Sequence, residues 1–183
     1  MGEQLSSARV AVFIDGLSAM HRLRDSGWEE HFDICYLAGR LARKRSLEGV
    51  FYFRPRPTMP PISSRARYWA EVQHVTRIEQ ALWQAYGRYV RFGWMVKRNW
   101  GWQEKRSDVW LAAEMVAEAH KNAFDVAILV TTDTDLVPAV EHVRMVGKGV
   151  ELVVFPKCNT NVSELIKVCN STTTVRASFF TPY

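Results

Sequence analysis

Ala127-Ile128-Leu129-Val130-Thr131-Thr132-Asp133-Thr134-Asp135-Leu136-Val137-Pro138 passes from an unbroken apolar run, through hydroxyls and carboxylates, into an apolar helical pattern. A continuous apolar run of this length reads as a strand buried on both faces, as in a parallel sheet. Val10-Ala11-Val12-Phe13-Ile14 repeats that grammar and ends in Asp15-Gly16, a turn signal. Two buried strands, one followed at once by aspartate and the other after two threonines, imply an open α/β sheet with acids beyond the carboxyl ends of its strands. That is where ligands bind in such sheets.

Working outward, strands are predicted at Val50–Phe53, Tyr89–Val96 and Val150–Phe155. Helical spacing covers Ile34 to Arg45, Trp69 to Tyr86, Asp108 to Ala119, Leu136 to Val146 and Val162 to Val168. In the third of these, Val109, Ala112, Ala113, Val116 and Ala117 are expected to face the core. A proline-rich loop runs from Arg54 to Pro61, and no central strand is expected within it. Residues 1–9 read as a polar leader and residues 171–183 as a tail without clear period. Alternation of strands and helices implies right-handed crossovers, so the fold class is α/β: one domain, a parallel sheet with helices on both faces.

The 183 residues suffice for one self-sufficient core. No apolar run approaches the roughly 20 residues that span a bilayer, and the polar start lacks the apolar segment of a signal peptide. Cys35, Cys158 and Cys169 have no metal-ligand spacing and read as reduced thiols in a cytoplasm. The formal net charge of +5 favours polyanionic partners.

Asp15, Asp108, Asp133 and Asp135 are all expected at one edge of the sheet. Each alone has a structural reading as turn, cap or first-turn acid. Gathered together they repel, and a hard divalent cation such as Mg²⁺ or Mn²⁺ relieves that repulsion through oxygen ligands. Such a site suits hydrolysis of a phosphodiester. Glu114 lies six positions beyond Asp108 and so off its face of the helix, at about 3.6 residues per turn; it is a supporting position at best.

Trp94 to Arg106 leads almost directly into Asp108. Lys97, Arg98, Lys105 and Arg106 suit phosphates, and Trp100 and Trp102 suit stacking on bases. Trp94, on a strand, is expected to plug the core or an interface. Arg54, Arg56, Arg65 and Arg67 form a second basic group near the prolines.

Phe13-Ile14-Asp15-Gly16, Ser107 to Met115, Thr131 to Pro138 and Gly147-Lys148-Gly149-Val150-Glu151, in this order, resemble the NYN domain. This is a branch of the PIN-like nucleases, and the LabA-like bacterial group is closest in style. The resemblance implies a PIN-like, Rossmann-like sheet and an acidic pocket for Mg²⁺ or Mn²⁺. It also implies ribonuclease activity on RNA, expected to be single-stranded. Carried over by motif, Asp15, Asp108, Asp133 and Asp135 are the catalytic and metal-site candidates. Three departures from the family pattern stand out. Leu17-Ser18 follows Asp-Gly where asparagine is frequent, Thr131-Thr132 replace Ser-Gly, and Glu114 stands for aspartate. Ser18, Thr131 and Thr132 retain hydroxyls that can bond a phosphate or a water beside the metal.

Three other readings differ in kind. One is a catalytically silent module of the same fold that binds RNA or protein. A haloacid-dehalogenase type phosphatase lacks its second aspartate, because Leu17 stands there. A nucleotide cofactor lacks its Gly-x-Gly-x-x-Gly. A second copy of the chain and a regulatory protein remain open as partners, and no membrane is expected.

Overall fold

Every second residue of the first strand, Val10, Val12 and Ile14, packs on one side of the sheet, while Ala11 and Phe13 pack on the other. All five are at most 2% exposed, which places this strand at the centre of the molecule. The computed structural model describes residues 8–58, 65–88, 90–99, 101–156 and 162–181, with backbone alone at 98 and 101–103.

The chain runs β1 (Arg9–Asp15), α1 (Gly16–Ser26), α2 (Ile34–Ala42), β2 (Ser46–Pro55), α3 (Arg65–Tyr86), β3 (Arg91–Arg98) and β4 (Gly101–Lys105). It continues through α4 (Ser107–His120), β5 (Val126–Val130), a 3₁₀ turn at Thr134–Leu136, α5 (Val137–Met145), β6 (Gly149–Val154), α6 (Ser163–Val168) and β7 (Ser171–Thr174). The sheet order is β4-β3-β2-β1-β5-β6-β7. All neighbouring pairs are parallel except β3 and β4. Helices α1 to α3 cover one face, and α4 to α6 cover the other. The α/β fold with a mostly parallel sheet and helices on both faces is as the sequence predicts.

Several elements differ from that reading. Asp15-Gly16 is no turn: Asp15 caps α1, whose Gly16, Ala19, Met20 and Leu23 are buried at helical spacing. Strand β2 carries on through Arg54 and Pro55 although it lies inside the sheet, because β1 ends at Asp15, opposite Phe53, and leaves Arg54 and Pro55 paired on the β3 side alone. The second helix stops at Ala42, where Arg43 adopts a positive φ of 58°. The threonine-rich tail supplies the parallel edge strand β7.

Helix α4 is rotated from the predicted face. Leu111, Met115, Glu118 and Ala119 are buried, while Val109 is 65% exposed. Burying leucine and methionine removes more apolar area from water than burying alanine. The buried Glu118 is satisfied by Lys121 at 2.8 Å and Arg88 at 3.4 Å.

Two features build the edge where the acids lie. Strand order reverses about β1: β2 and β3 lie to one side, β5 and β6 to the other. A crevice therefore opens between the carboxyl ends of β1 and β5, the usual ligand position in doubly wound sheets. In addition, Trp94 to Arg98 of β3 pair with β4 alone, so the hairpin projects beyond the end of β2. The chain returns along β4 and starts α4 at the same edge. Gly93 permits this return, since a Cβ there would lie 2.6 Å from the Lys105 carbonyl and against the Ser107 hydroxyl.

Candidate functional site

Asp15 ends β1 with a half-buried carboxylate that already serves three donors. Oδ1 accepts the backbone N–H groups of Leu17 and Ser18, each at 3.1 Å. Oδ2 accepts the Thr131 hydroxyl at 3.0 Å. Thr131 opens the loop after β5, is only 1% exposed, and itself accepts the N–H of Asp133 at 3.1 Å. Asp133 in turn accepts the N–H of Asp135 at 3.0 Å through Oδ1 and caps the 3₁₀ turn. A chain of hydrogen bonds thus runs Asp15–Thr131–Asp133–Asp135 across the crevice. Thr132 reaches the Ser18 hydroxyl at 3.5 Å, a second and longer tie between the same two loops.

Asp108 enters from the other side, half-buried in the first turn of α4. Its charge reaches the rest. Burial raises the Asp133 carboxyl above its usual range, the Asp135 N–H opposes this, and the charges of Asp135, Asp15 and Asp108 add to it. The structure therefore brings Asp15, Asp108, Asp133 and Asp135 into one electrostatic neighbourhood. Asp135 is the most open of the four.

A fifth acid belongs to this neighbourhood and is missing from the sequence reading. Glu104, near the end of β4, is pushed up to about 7, mainly by burial. The Ser107 hydroxyl and the Arg54 guanidinium oppose the rise, and Asp15 and Asp108 contribute to it. The signal lay in the hairpin: once β4 is a strand leading into Asp108, its penultimate residue must lie beside the same edge.

The donors are hard carboxylate oxygens, suited to Mg²⁺ or Mn²⁺. Among the described residues, no group of three or more acidic, histidine or cysteine side chains is placed to hold a metal ion together. A hard cation here would be held by one or two carboxylates and several waters, the usual habit of Mg²⁺.

The model of the NYN domain matches residues 9–176. The chain belongs to the NYN domain family. A crystal structure of a protein of unknown function from Vibrio parahaemolyticus has the same fold, with a TM-score of 0.67 at 16% identity. The match covers 98% of this chain and 99% of that one. No curated protein matches the chain.

Within this NYN domain, the departures from the family pattern acquire specific roles. Thr131 is turned inward to hold Asp15 and is too buried to offer its hydroxyl to a ligand. Glu114 faces Arg91 at 3.6 Å, on the flank of α4.

The basic residues divide. Lys97 is exposed on β3, and Lys105 and Arg106 are exposed where β4 passes into α4. Trp100, and the side chains of Arg98 and Trp102, lie outside the described residues. Trp94 is 54% exposed and fills no part of the core, which leaves the interface alternative of that expectation. The second basic group is split: Arg56, Arg65 and Arg67 are exposed, and Arg54 is buried. Arg54 is 5% exposed and pairs with Glu71 at 2.5 Å, because β2 continues far enough to carry it under α3. Arg56 covers Phe92 at 4.4 Å, and Arg67 reaches Glu30 at 3.9 Å. Among the described residues, no helix is long and apolar enough to cross a membrane.

Proposed function

We propose that this NYN domain is a metal-dependent endoribonuclease that hydrolyses RNA at the crevice between β1 and β5. The carrying observation is the relay that ties Asp15, Thr131, Asp133 and Asp135 at the strand ends where strand order reverses, with Asp108 within electrostatic reach of Asp133. A hard cation would offset the like charge that Asp15 and Asp108 impose on Asp133 and Glu104.

From Asp15, Asp108, Asp133 and Asp135, one or two carboxylates would hold Mg²⁺ or Mn²⁺ directly and the others through its waters. When bound, the metal supplies a Lewis-acid centre that polarises water and offsets charge developing on the phosphodiester. The chain's own groups do the rest. Thr131 fixes the orientation of Asp15, and Asp133 fixes the position of Asp135. Lys97, Lys105 and Arg106 attract the RNA backbone towards the acids. Glu104, with an affinity for protons near neutrality, can hold or release a proton beside the reacting phosphate.

Calorimetric titration of Mn²⁺ into the wild type should show binding that Asp133→Asn weakens, and mixed RNAs should be cut only when Mn²⁺ or Mg²⁺ is present. A wild type that binds RNA but never cuts it with any divalent metal would instead make the protein a silent RNA-binding module.

A further inference from the structure

His120 and His142 meet where two neighbouring helices end. His120 is the last residue of α4, and His142 lies in the last turn of α5. Both residues are exposed, and their Nε2 atoms stand 2.9 Å apart. The ring centres are 5.1 Å apart, so the two nitrogens point almost directly at each other. Among the described residues, neither ring has another hydrogen-bond partner. The acids lie elsewhere: α4 begins beside Asp108 and α5 begins just after Asp135, so both helices run from the crevice to the histidines.

Two imidazoles facing nitrogen to nitrogen share one proton: one ring donates from Nε2 and the other accepts. A divalent metal that takes the lone pairs of both nitrogens replaces that bridge, and the donor ring then carries its proton on Nδ1. Zn–N bonds of about 2.0–2.1 Å in tetrahedral geometry hold two nitrogens about 3.3 Å apart, so the exposed rings need to open by only roughly a few tenths of an ångström. Imidazole suits zinc, copper and nickel, whereas Mg²⁺ and Mn²⁺ prefer oxygen, so this pair and the acids select different ions. The surroundings favour a cation. The carbonyl ends of both helices carry partial negative charge. The neighbouring cations are engaged elsewhere: Lys121 binds Glu118 at 2.8 Å, and Arg144 binds the Val168 carbonyl at 2.6 Å.

We propose that His120 and His142 are the protein ligands of a metal site separate from the acids, for a divalent transition metal of the zinc class, which clamps the end of α4 to the end of α5. Among the described residues, no third acidic, histidine or cysteine side chain joins them, so water completes the coordination and the metal exchanges readily. The clamp ties together the two helices whose other ends frame the crevice. It does not depend on the ribonuclease reading.

The test is calorimetric titration of Zn²⁺ in excess Mg²⁺, which competes for the acids, into wild type, His120→Gln, His142→Gln and Asp15→Asn. Wild type should bind Zn²⁺. Each histidine variant should bind it at least about tenfold more weakly, since losing even a partner behind a metal ligand costs that much. Asp15→Asn should bind it as wild type does. Melting curves give a second readout: Zn²⁺ should raise the melting temperature of wild type and leave both histidine variants where they melt in EDTA. Unchanged Zn²⁺ affinity in either histidine variant would overturn the site. Loss of binding in Asp15→Asn would overturn it too, by moving the metal to the acids. A wild type that binds no Zn²⁺ would leave the pair as a hydrogen bond only. None of these outcomes turns on whether RNA is cut, so the clamp and the ribonuclease reading fail separately.

Discussion

The Thr131 hydroxyl donates to Asp15 Oδ2 at 3.0 Å and joins the two central strands of the sheet at the point where the acids gather. Because Thr131 also accepts the Asp133 N–H, one hydroxyl sets the position of carboxylates on both sides of the crevice. A buried group in that position has effects on stability and on chemistry that can be separated.

Thr131→Val keeps the shape but leaves the Asp133 N–H without its acceptor and Asp15 Oδ2 without its donor. A loss of about 1–3 kcal/mol is expected for an unsatisfied buried group, read as a lower melting temperature. RNA cleavage should fall more than RNA binding. Thr131→Ser restores the hydroxyl, and should recover most of both quantities in melting and cleavage assays.

The raised Glu104 carboxyl makes stability depend on pH. Its folded value of about 7 lies above the ordinary value of 4.5, so the folded state holds the proton more tightly. Between these values stability should fall as pH rises. Melting curves in EDTA across that window should show the decline, and Glu104→Gln should flatten it. A wild-type slope in the variant would mean that another group titrates.

His74 gives the opposite sign at lower pH. It is 2% exposed in α3, and burial, with His31, Arg54 and Arg77 nearby, lowers it from 6.5 to about 3. The unfolded chain then binds the proton first, so the His74 contribution is present above about 6.5 and is lost as pH falls towards about 3. His74→Gln should reduce the acid sensitivity of the melting temperature in that range, whatever its effect at neutral pH.

Gly93→Ala tests the hairpin that delivers Glu104 and Asp108. Its Cβ would press on the Lys105 carbonyl, at 2.6 Å, and on Ser107. Overpacking of this kind costs about 1–3 kcal/mol, and because the strain falls on the junction of β4 and α4, cleavage should suffer as well. Thermal melting and cleavage rates on the same preparation measure the two effects.

The sheet is legible in the sequence because β1, β5 and β6 are buried on both faces and written as apolar runs, broken in β6 only by Glu151. The paired aspartates follow the β5 run after two threonines, and so their location is legible too. Helix α1 is hidden for a local reason: Asp15-Gly16 looks like a turn, whereas the glycine is needed because a Cβ would lie 2.6 Å from the Tyr52 ring. The face of α4 is misread because alanines and valines repeat at helical spacing all round its apolar side, and the choice is made by tertiary packing at Leu111 and Met115. Glu104 escapes notice because β4 is short, polar and rich in charge. Only its pairing with Trp94 to Arg98 makes it a strand, and no local propensity encodes that pairing.

The most direct test compares cleavage rate and RNA affinity in wild type, Asp15→Asn and Asp135→Asn with Mn²⁺ present and thermal melting as the folding control. Each substitution keeps the shape and removes one charge, so the fold and RNA binding through the basic surface should persist. Cleavage should fall by about two orders of magnitude or more, the loss of roughly 3 kcal/mol of transition-state stabilisation. Equal cutting by all three proteins would contradict a metal-dependent site at Asp15 and Asp135.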